Sequence, residues 1–127
     1  MFDVLIVGGG PIGLFLALLL KRQGLDVAII EKREGAVFDP RAAVIWPRTA
    51  EVLAAQGLTS VFARERRLLE GVELNVRGVS RGVLRLRGLA GPESVPWIIE
   101  QHRTEALLRE ALGDLTVRGN HTLTGLA

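Results

Sequence analysis

The feature that most constrains this chain is a glycine-rich turn between two apolar segments near the N-terminus. Residues 3–7 are predicted to form a strand, because parallel strands buried on both faces read as continuous apolar runs. The turn that follows, Gly8-Gly9-Gly10-Pro11-Ile12-Gly13, matches G-x-G-x-x-G through its first, third and last glycines. A helix over residues 12–23 and a second strand over 27–30 are predicted next. This order predicts a βαβ unit with parallel strands.

The three motif glycines have separate physical tasks. Gly8 allows a tight turn out of the strand, Gly10 leaves room for a pyrophosphate against the backbone, and Gly13 lets the helix pack close to the strand. The free N–H groups and positive dipole end of the helix favour an anion there. Glu31 ends the second strand, about 20 residues further on, where an acidic side chain can bind the hydroxyls of an adenosine ribose. The segment therefore predicts a dinucleotide site.

Two other interpretations of this segment are a glycine turn without a ligand and a signal peptide or membrane helix. Residues 4–20 carry no charge, but the stretch is short for a membrane span and its glycine turn interrupts it. Asp3 stands where a signal peptide would carry a basic residue. We therefore expect no membrane partner and, without a visible export signal, a cytoplasmic protein.

Composition limits the remaining classes of function. The chain has 127 residues, of which 48% are hydrophobic, so it is one domain or part of one. It has no cysteine, which excludes disulfides, thiol catalysis and Cys-ligated metal. The pI of about 9.9 accompanies a net charge of only +2, because the basic residues are nearly all arginine and tyrosine is absent. The high pI is thus weak support for nucleic-acid binding, and we expect none.

The remainder of the chain alternates between helical and strand patterns. A long loop is expected from Lys32 onward, and a small antiparallel side sheet is expected over roughly residues 69–100. The predicted elements are helices over 47–56, 59–64 and 103–112, and strands over 69–77, 83–87, 97–99, 115–118 and 122–126, with a turn at 78–82. An open α/β sheet of this kind needs further strands to cover its edge, so we expect the N-terminal portion of a longer protein.

Several segments together resemble the N-terminus of a known family. They are Gly8-Gly9-Gly10-Pro11-Ile12-Gly13-Leu14, Ile30-Glu31-Lys32, Arg41-Ala42-Ala43-Val44 before a helix that ends at Gly57-Leu58, Glu70-Gly71-Val72-Glu73, and Gln101 before Thr104-Glu105-Ala106-Leu107-Leu108. In this order they resemble the FAD-dependent aromatic-ring monooxygenases of the p-hydroxybenzoate hydroxylase type. The resemblance spans essentially all 127 residues. It implies an α/β fold: a Rossmann-like FAD-binding βαβ unit with a parallel sheet and a small antiparallel side sheet, truncated relative to the family.

The resemblance also implies which residues bind the cofactor. The glycine turn, with Gly8, Gly10, Pro11, Ile12 and Gly13, would hold the FAD pyrophosphate. Glu31, with Lys32 beside it, would hold the adenosine ribose. Arg41 would lie near the pyrophosphate and flavin, Gln101 near the flavin, and Leu123 would touch the adenine region through its backbone. Two alternatives stay open from the residues alone: Arg41 as a solvated loop cation, and Gln101 as a cap for the following helix.

The implied activity belongs to a complete enzyme of this family. NADPH or NADH would reduce the flavin, and the reduced flavin would use O2 to hydroxylate a small aromatic substrate. No residue of this chain qualifies as a catalytic acid or base, and no metal site is expected. His102 and His121, the two histidines, have no evident carboxylate or metal-ligand partner at useful spacing.

Two alternatives follow from the same residues. The first is an NAD(P)-binding reductase with the same glycine fingerprint. Glu31 disfavours a 2′-phosphate, although Lys32 and Arg33 stand beside it. The second is a non-catalytic nucleotide-binding or assembly fragment, which would pair its exposed sheet edge with another chain or with a second copy of itself.

Overall fold

A computed structural model describes residues 1–34, 43–87, 94–115 and 117–125. Its elements in chain order are β1 (Val4–Val7), α1 (Pro11–Arg22), β2 (Val27–Ile30), β3 (Val44–Ile45), α2 (Pro47–Ala55), α3 (Thr59–Ala63), β4 (Arg67–Leu68), β5 (Gly71–Val76), β6 (Val79–Arg85), β7 (Trp97–Ile98), α4 (Gln101–Leu112) and β8 (Val117–Arg118). They divide between two compact units, residues 1–41 with 101–127, and residues 42–100.

The first unit contains a parallel sheet in the order β1-β2-β8. Val4 pairs with Val27 and Val7 with Ile30, and Ile29 of β2 then pairs with Val117 of β8. Parallel neighbours require a crossover connection, which α1 supplies between β1 and β2. The predicted βαβ unit and the α/β fold class are confirmed.

Helix α1 lies against both the sheet and α4. It begins at Pro11, whose fixed φ suits the first helical position. It ends before Gly24, which adopts the left-handed φ of +84°. The buried residues of the two helices are Leu14, Ala17 and Leu18 on α1 and Leu107, Leu108 and Leu112 on α4. The Lys21 ammonium also donates to the carbonyl oxygen of Leu112 at 2.9 Å, so the C-terminal ends of both helices are tied together.

The second unit contains an antiparallel sheet in the order β3-β7-β4 and the helices α2 and α3. Phe62 and Trp97 are buried in it, with ring centroids 6.4 Å apart. The Arg66 guanidinium lies 4.4 Å from the centroid of the Trp97 ring, a cation–π contact. Of the three strands, β7 was predicted, as part of residues 97–99, whereas β3 and β4 were not.

The hairpin of β5 and β6 differs from its prediction in two respects. Its turn is Arg77-Gly78, both with positive φ, instead of residues 78–82, and β6 therefore begins at Val79. Two successive positive φ values match the right-handed strand twist, as in a type I′ turn. The alternating residues were also expected to be half-buried, yet Leu74 is 55% exposed and Val76 is 52% exposed.

Two further observations concern the last predicted strand and the length and polarity of the helices. The strand predicted over 122–126 is not formed at the described positions 122–125. In the described ranges, every helix is too short or too polar to cross a bilayer.

Candidate functional site

The glycine loop leaves β1 at the carboxyl end of the parallel sheet. Gly8 has a φ of +115°, which side chains with a Cβ rarely adopt, and its N–H donates to the carbonyl oxygen of Ile30 at 2.8 Å. A Cβ on Gly13 would overlap the carbonyl oxygen of Gly8 and lie 3.3 Å from Ile6 Cγ2. The first and last glycines of the motif are thus required by the fold itself, with or without a ligand.

Gly10 is subject to neither of these two constraints. A Cβ built on it would meet nothing within 4 Å, and its φ of −77° is open to any residue. It is the N-cap of α1 and accepts the first helical hydrogen bond, from Leu14 N–H at 3.0 Å. The next N–H groups, those of Ile12 and Gly13, belong to the helical turn that has no intrahelical acceptor. An open space lined by such donors fits a pyrophosphate.

Gly9, a variable position of the motif, is also closely packed. It is buried, and a Cβ on it would lie 3.2 Å from Val117 Cγ1 and 3.3 Å from Glu31 Cβ. The loop therefore packs closely against the ends of β2 and β8. Sequence reasoning missed this residue, because the motif pattern leaves its second position free.

Glu31 holds the glycine loop through its carboxylate. Oε2 accepts the Gly9 N–H at 2.8 Å and Oε1 accepts the Arg33 N–H at 3.1 Å. The backbone of Glu31 is fixed as well, by Arg118 and His121 on either side. Each carboxylate oxygen has a second lone pair, so the group can still accept hydrogen bonds from ribose hydroxyls. Glu31 is thus a brace of the loop in addition to its predicted role at a ribose.

The hydrogen bond from Gly9 is the largest cause that lowers the pKa of Glu31 from its ordinary value of 4.5. The Arg33 N–H and the charges of Arg33 and Lys32 act in the same direction, against the opposing effect of burial. A carboxyl whose pKa is lower in the folded chain stabilises the fold above its unfolded pKa and loses that effect as the pH falls.

We predict a pH-dependent difference between the parent chain and Glu31→Gln, which keeps the shape of the side chain but cannot ionise. The parent should exceed the variant in free energy of unfolding by a constant amount from pH 7 to about 5. The excess should shrink below the ordinary value of 4.5 and vanish below the lowered pKa. Urea unfolding of both chains from pH 7 to 3 measures it. A difference that stays constant across that range would contradict the loop-bracing role of the carboxylate.

The other predicted cofactor residues lie as follows. Lys32 is exposed beside Glu31. Gln101 is the first residue of α4, and its Nε2 donates to Glu105 Oε1 at 2.9 Å, so its side chain bonds within the helix. Leu123 is 42% exposed, beyond the end of β8. Arg41 lies outside the described residues. The structure thus brings together the glycine loop and Glu31.

Sequence reasoning also missed Arg109 of α4. Its Nη2 donates to the carbonyl oxygen of Gly9 at 3.2 Å, across 100 residues of sequence. No local motif predicts this contact, because the contact depends on how α4 packs against α1. The glycine loop is consequently held from two elements, β2 through Glu31 and α4 through Arg109.

Among the described residues, no three His, Asp or Glu side chains are grouped to hold a metal ion. His121 places Nδ1 2.6 Å from the carbonyl oxygen of Gly119, an exposed local contact. A cavity of about 230 Å³ lies at the opposite end of the sheet, lined by Phe2, Lys21, Asp26 and Arg118 among others. Ligands of open α/β sheets bind instead at the carboxyl ends of the strands, where the glycine loop lies.

The sequence of this chain is similar to those of known flavoproteins. The sequence profile of a family described as the FAD binding domain matches residues 1–127. The chain is 35% identical over 119 residues to a 6-methylpretetramide 4-monooxygenase of Streptomyces rimosus, covering 91% of this chain and 21% of that protein.

Two solved monooxygenase structures share the fold of this chain. A p-nitrophenol 4-monooxygenase of Pseudomonas putida superposes with a TM-score of 0.82 at 25% identity, covering 94% of this chain and 32% of its own. The flavin-dependent monooxygenase PieE, solved with FAD and substrate, gives a TM-score of 0.77 at 26% identity, with coverage of 94% and 24%. The chain therefore spans between a fifth and a third of the length of these proteins.

Proposed function

Because this chain belongs to the FAD-binding domain family, we propose that it is the N-terminal, FAD-binding part of a flavin-dependent monooxygenase that hydroxylates an aromatic substrate. One observation supports this most: the space at Gly10 is open and its φ is ordinary, while Gly9 and Gly13 are closely packed and Gly8 has a positive φ. A fold without a ligand has no need of a glycine there, because the backbone angles suit any residue and no neighbour approaches.

The proposed cofactor contacts follow from that geometry and from the family. The loop with Gly8, Gly10, Pro11, Ile12 and Gly13 would bind the pyrophosphate through backbone N–H groups and the positive end of α1. Glu31 would accept hydrogen bonds from the ribose with its remaining lone pairs. The family resemblance adds four further contacts, by Lys32, Arg41, Gln101 and Leu123. When bound, the flavin supplies the redox chemistry, while the protein binds and orients it.

The proposal extends to the complete enzyme. NADPH or NADH would be its reductant, a small aromatic molecule its substrate and the cytoplasm its location. The β1 edge of the parallel sheet, where Leu5 is 50% and Val7 is 56% exposed, would pair with further protein, either more of the same enzyme or a second copy.

The experiment that tests the cofactor is a calorimetric titration of the purified chain with FAD and, in parallel, with NADH. We expect saturable binding of FAD at one site and much weaker binding of NADH. Preferential binding of NADH would contradict the proposal and favour a reductase with the same fingerprint. Binding of neither ligand would contradict the assignment of a sufficient FAD site to these residues and favour an assembly role.

A further inference from the structure

The peptide between Gly9 and Gly10 is held through its carbonyl group. Its carbonyl oxygen, that of Gly9, accepts a hydrogen bond from Arg109 Nη2 at 3.2 Å. The preceding peptide is held by Glu31, which accepts the Gly9 N–H at 2.8 Å. Two side chains from different elements thus fix two successive peptide planes of the glycine loop.

The Arg109 contact determines where the Gly10 N–H points. In a planar trans peptide the C=O and the N–H point in opposite directions. Because Arg109 draws the Gly9 carbonyl toward α4, the Gly10 N–H faces away from α4. Gly10 is also the position where a Cβ would meet nothing within 4 Å. A glycine peptide has little intrinsic preference for one orientation, so an external contact is needed to select it.

The position of Arg109 on α4 restricts the movement of its side chain. Arg109 directly follows the buried residues Leu107 and Leu108, and it is itself half-buried. The guanidinium donates through a planar, permanently charged group, and its positive charge lies directly behind the loop. A charge that is partly shielded from solvent attracts a phosphate more strongly than an exposed one.

We propose that Arg109 is a positioning residue of the pyrophosphate site: it orients the Gly9–Gly10 peptide so that the Gly10 N–H faces the bound phosphate, and it adds positive charge behind that peptide. This inference rests on the proposed function, since it takes the glycine loop as an FAD site. A purely structural role is the competing explanation, in which Arg109 only ties α4 to the loop and its loss lowers stability.

The test compares Arg109→Met, Arg109→Lys and the control Arg103→Met, which removes the same charge from an exposed position of the same helix. Two quantities are measured at a temperature well below unfolding: the Kd for FAD by calorimetry, and the Gly10 amide resonance of the ligand-free chain labelled with [15N]glycine. The thermal midpoint of each variant is recorded alongside, because a purely structural role lowers the midpoint without raising the Kd.

We expect Arg109→Met to raise the Kd for FAD about tenfold, the size expected for one lost hydrogen bond to a charged group. The Gly10 resonance should move as well, Arg103→Met should change neither quantity, and Arg109→Lys should fall between. An Arg109→Met chain that binds FAD within twofold of the parent would overturn the inference, whatever its midpoint.

If the proposed function is wrong, the binding and resonance measurements give a different set of results. If the parent itself does not bind FAD, the amide resonance decides: a moved Gly10 resonance supports the orienting role of Arg109, and an unmoved one overturns it. If Arg109→Met does not fold, the Lys variant replaces it. Parental affinity in Arg109→Lys together with an unmoved Gly10 resonance would then overturn the inference.

Discussion

The Gly10→Val variant is expected to lose FAD binding by a factor of about 100 or more while it keeps its helix content. A pyrophosphate at this loop would accept at least two charge-assisted backbone hydrogen bonds, each worth about 1.5–3 kcal/mol. A valine side chain would occupy the place of the phosphate, and 1.4 kcal/mol corresponds to about tenfold in Kd. The fold should tolerate it, because no atom lies within 4 Å of a Cβ at Gly10.

The matched control for this variant is Ala106→Val, which places the same side chain at an exposed position of α4. Its Kd for FAD should equal that of the parent. Calorimetry gives the Kd and far-ultraviolet circular dichroism gives the helix content of both variants. Parental affinity in Gly10→Val would show that the phosphate does not lie at this glycine. A loss of helix content would show that Gly10 is needed for the fold instead.

The βαβ unit could be predicted from sequence because all its signals are local. A continuous apolar run, a glycine turn with proline at the first helical position and a second apolar run follow one another within thirty residues. Each element is confirmed to within one or two residues, and Glu31 lies directly after β2, as predicted. The glycine loop and the acidic residue, which the motif alone determines, are therefore the two features whose positions in the fold are predicted correctly from sequence.

The contacts of Gly9 and Arg109 could not be predicted, because they depend on packing between distant elements. Gly9 is held between the ends of β2 and β8, and Arg109 reaches it from α4. The sequence shows Arg109 only as a cation in the last turn of a helix, where the dipole already explains it. A role that depends on contacts between elements distant in the sequence leaves no periodic pattern in the sequence.

Burial on the side sheet was mispredicted for a related reason. Alternation along 72–76 correctly indicates a strand with two unlike faces, but it does not say what covers the apolar face. Within the described residues Leu74 and Val83 remain largely exposed. The hairpin turn was misplaced because Gly78 and Gly82 are both acceptable turn residues, and only the pairing of Val76 with Val79 decides between them.

The Gly13→Ala variant is expected to lose about 3 kcal/mol of stability, in contrast to its neighbour in the motif. Helix propensity alone predicts a gain of about 0.5–1 kcal/mol for alanine at a helical position. The added methyl group, however, would overlap the backbone carbonyl of Gly8 and crowd Ile6. Since that carbonyl belongs to the tight turn out of β1, the overlap cannot be relieved by rotating a side chain. Overpacking of this kind costs several times the propensity gain.

The matched control is Gly10→Ala, the same substitution three residues away in open space. Alanine is a poorer N-cap than glycine, so a change within about 1 kcal/mol is expected. Chemical denaturation of the two variants at pH 7 measures both free energies of unfolding. Equal stability losses in the two would contradict the separate tasks assigned to these glycines. A large loss confined to Gly13→Ala would show that Gly13 serves the packing of α1 on β1, which leaves Gly10 as the motif position whose glycine neither packing nor backbone angle explains.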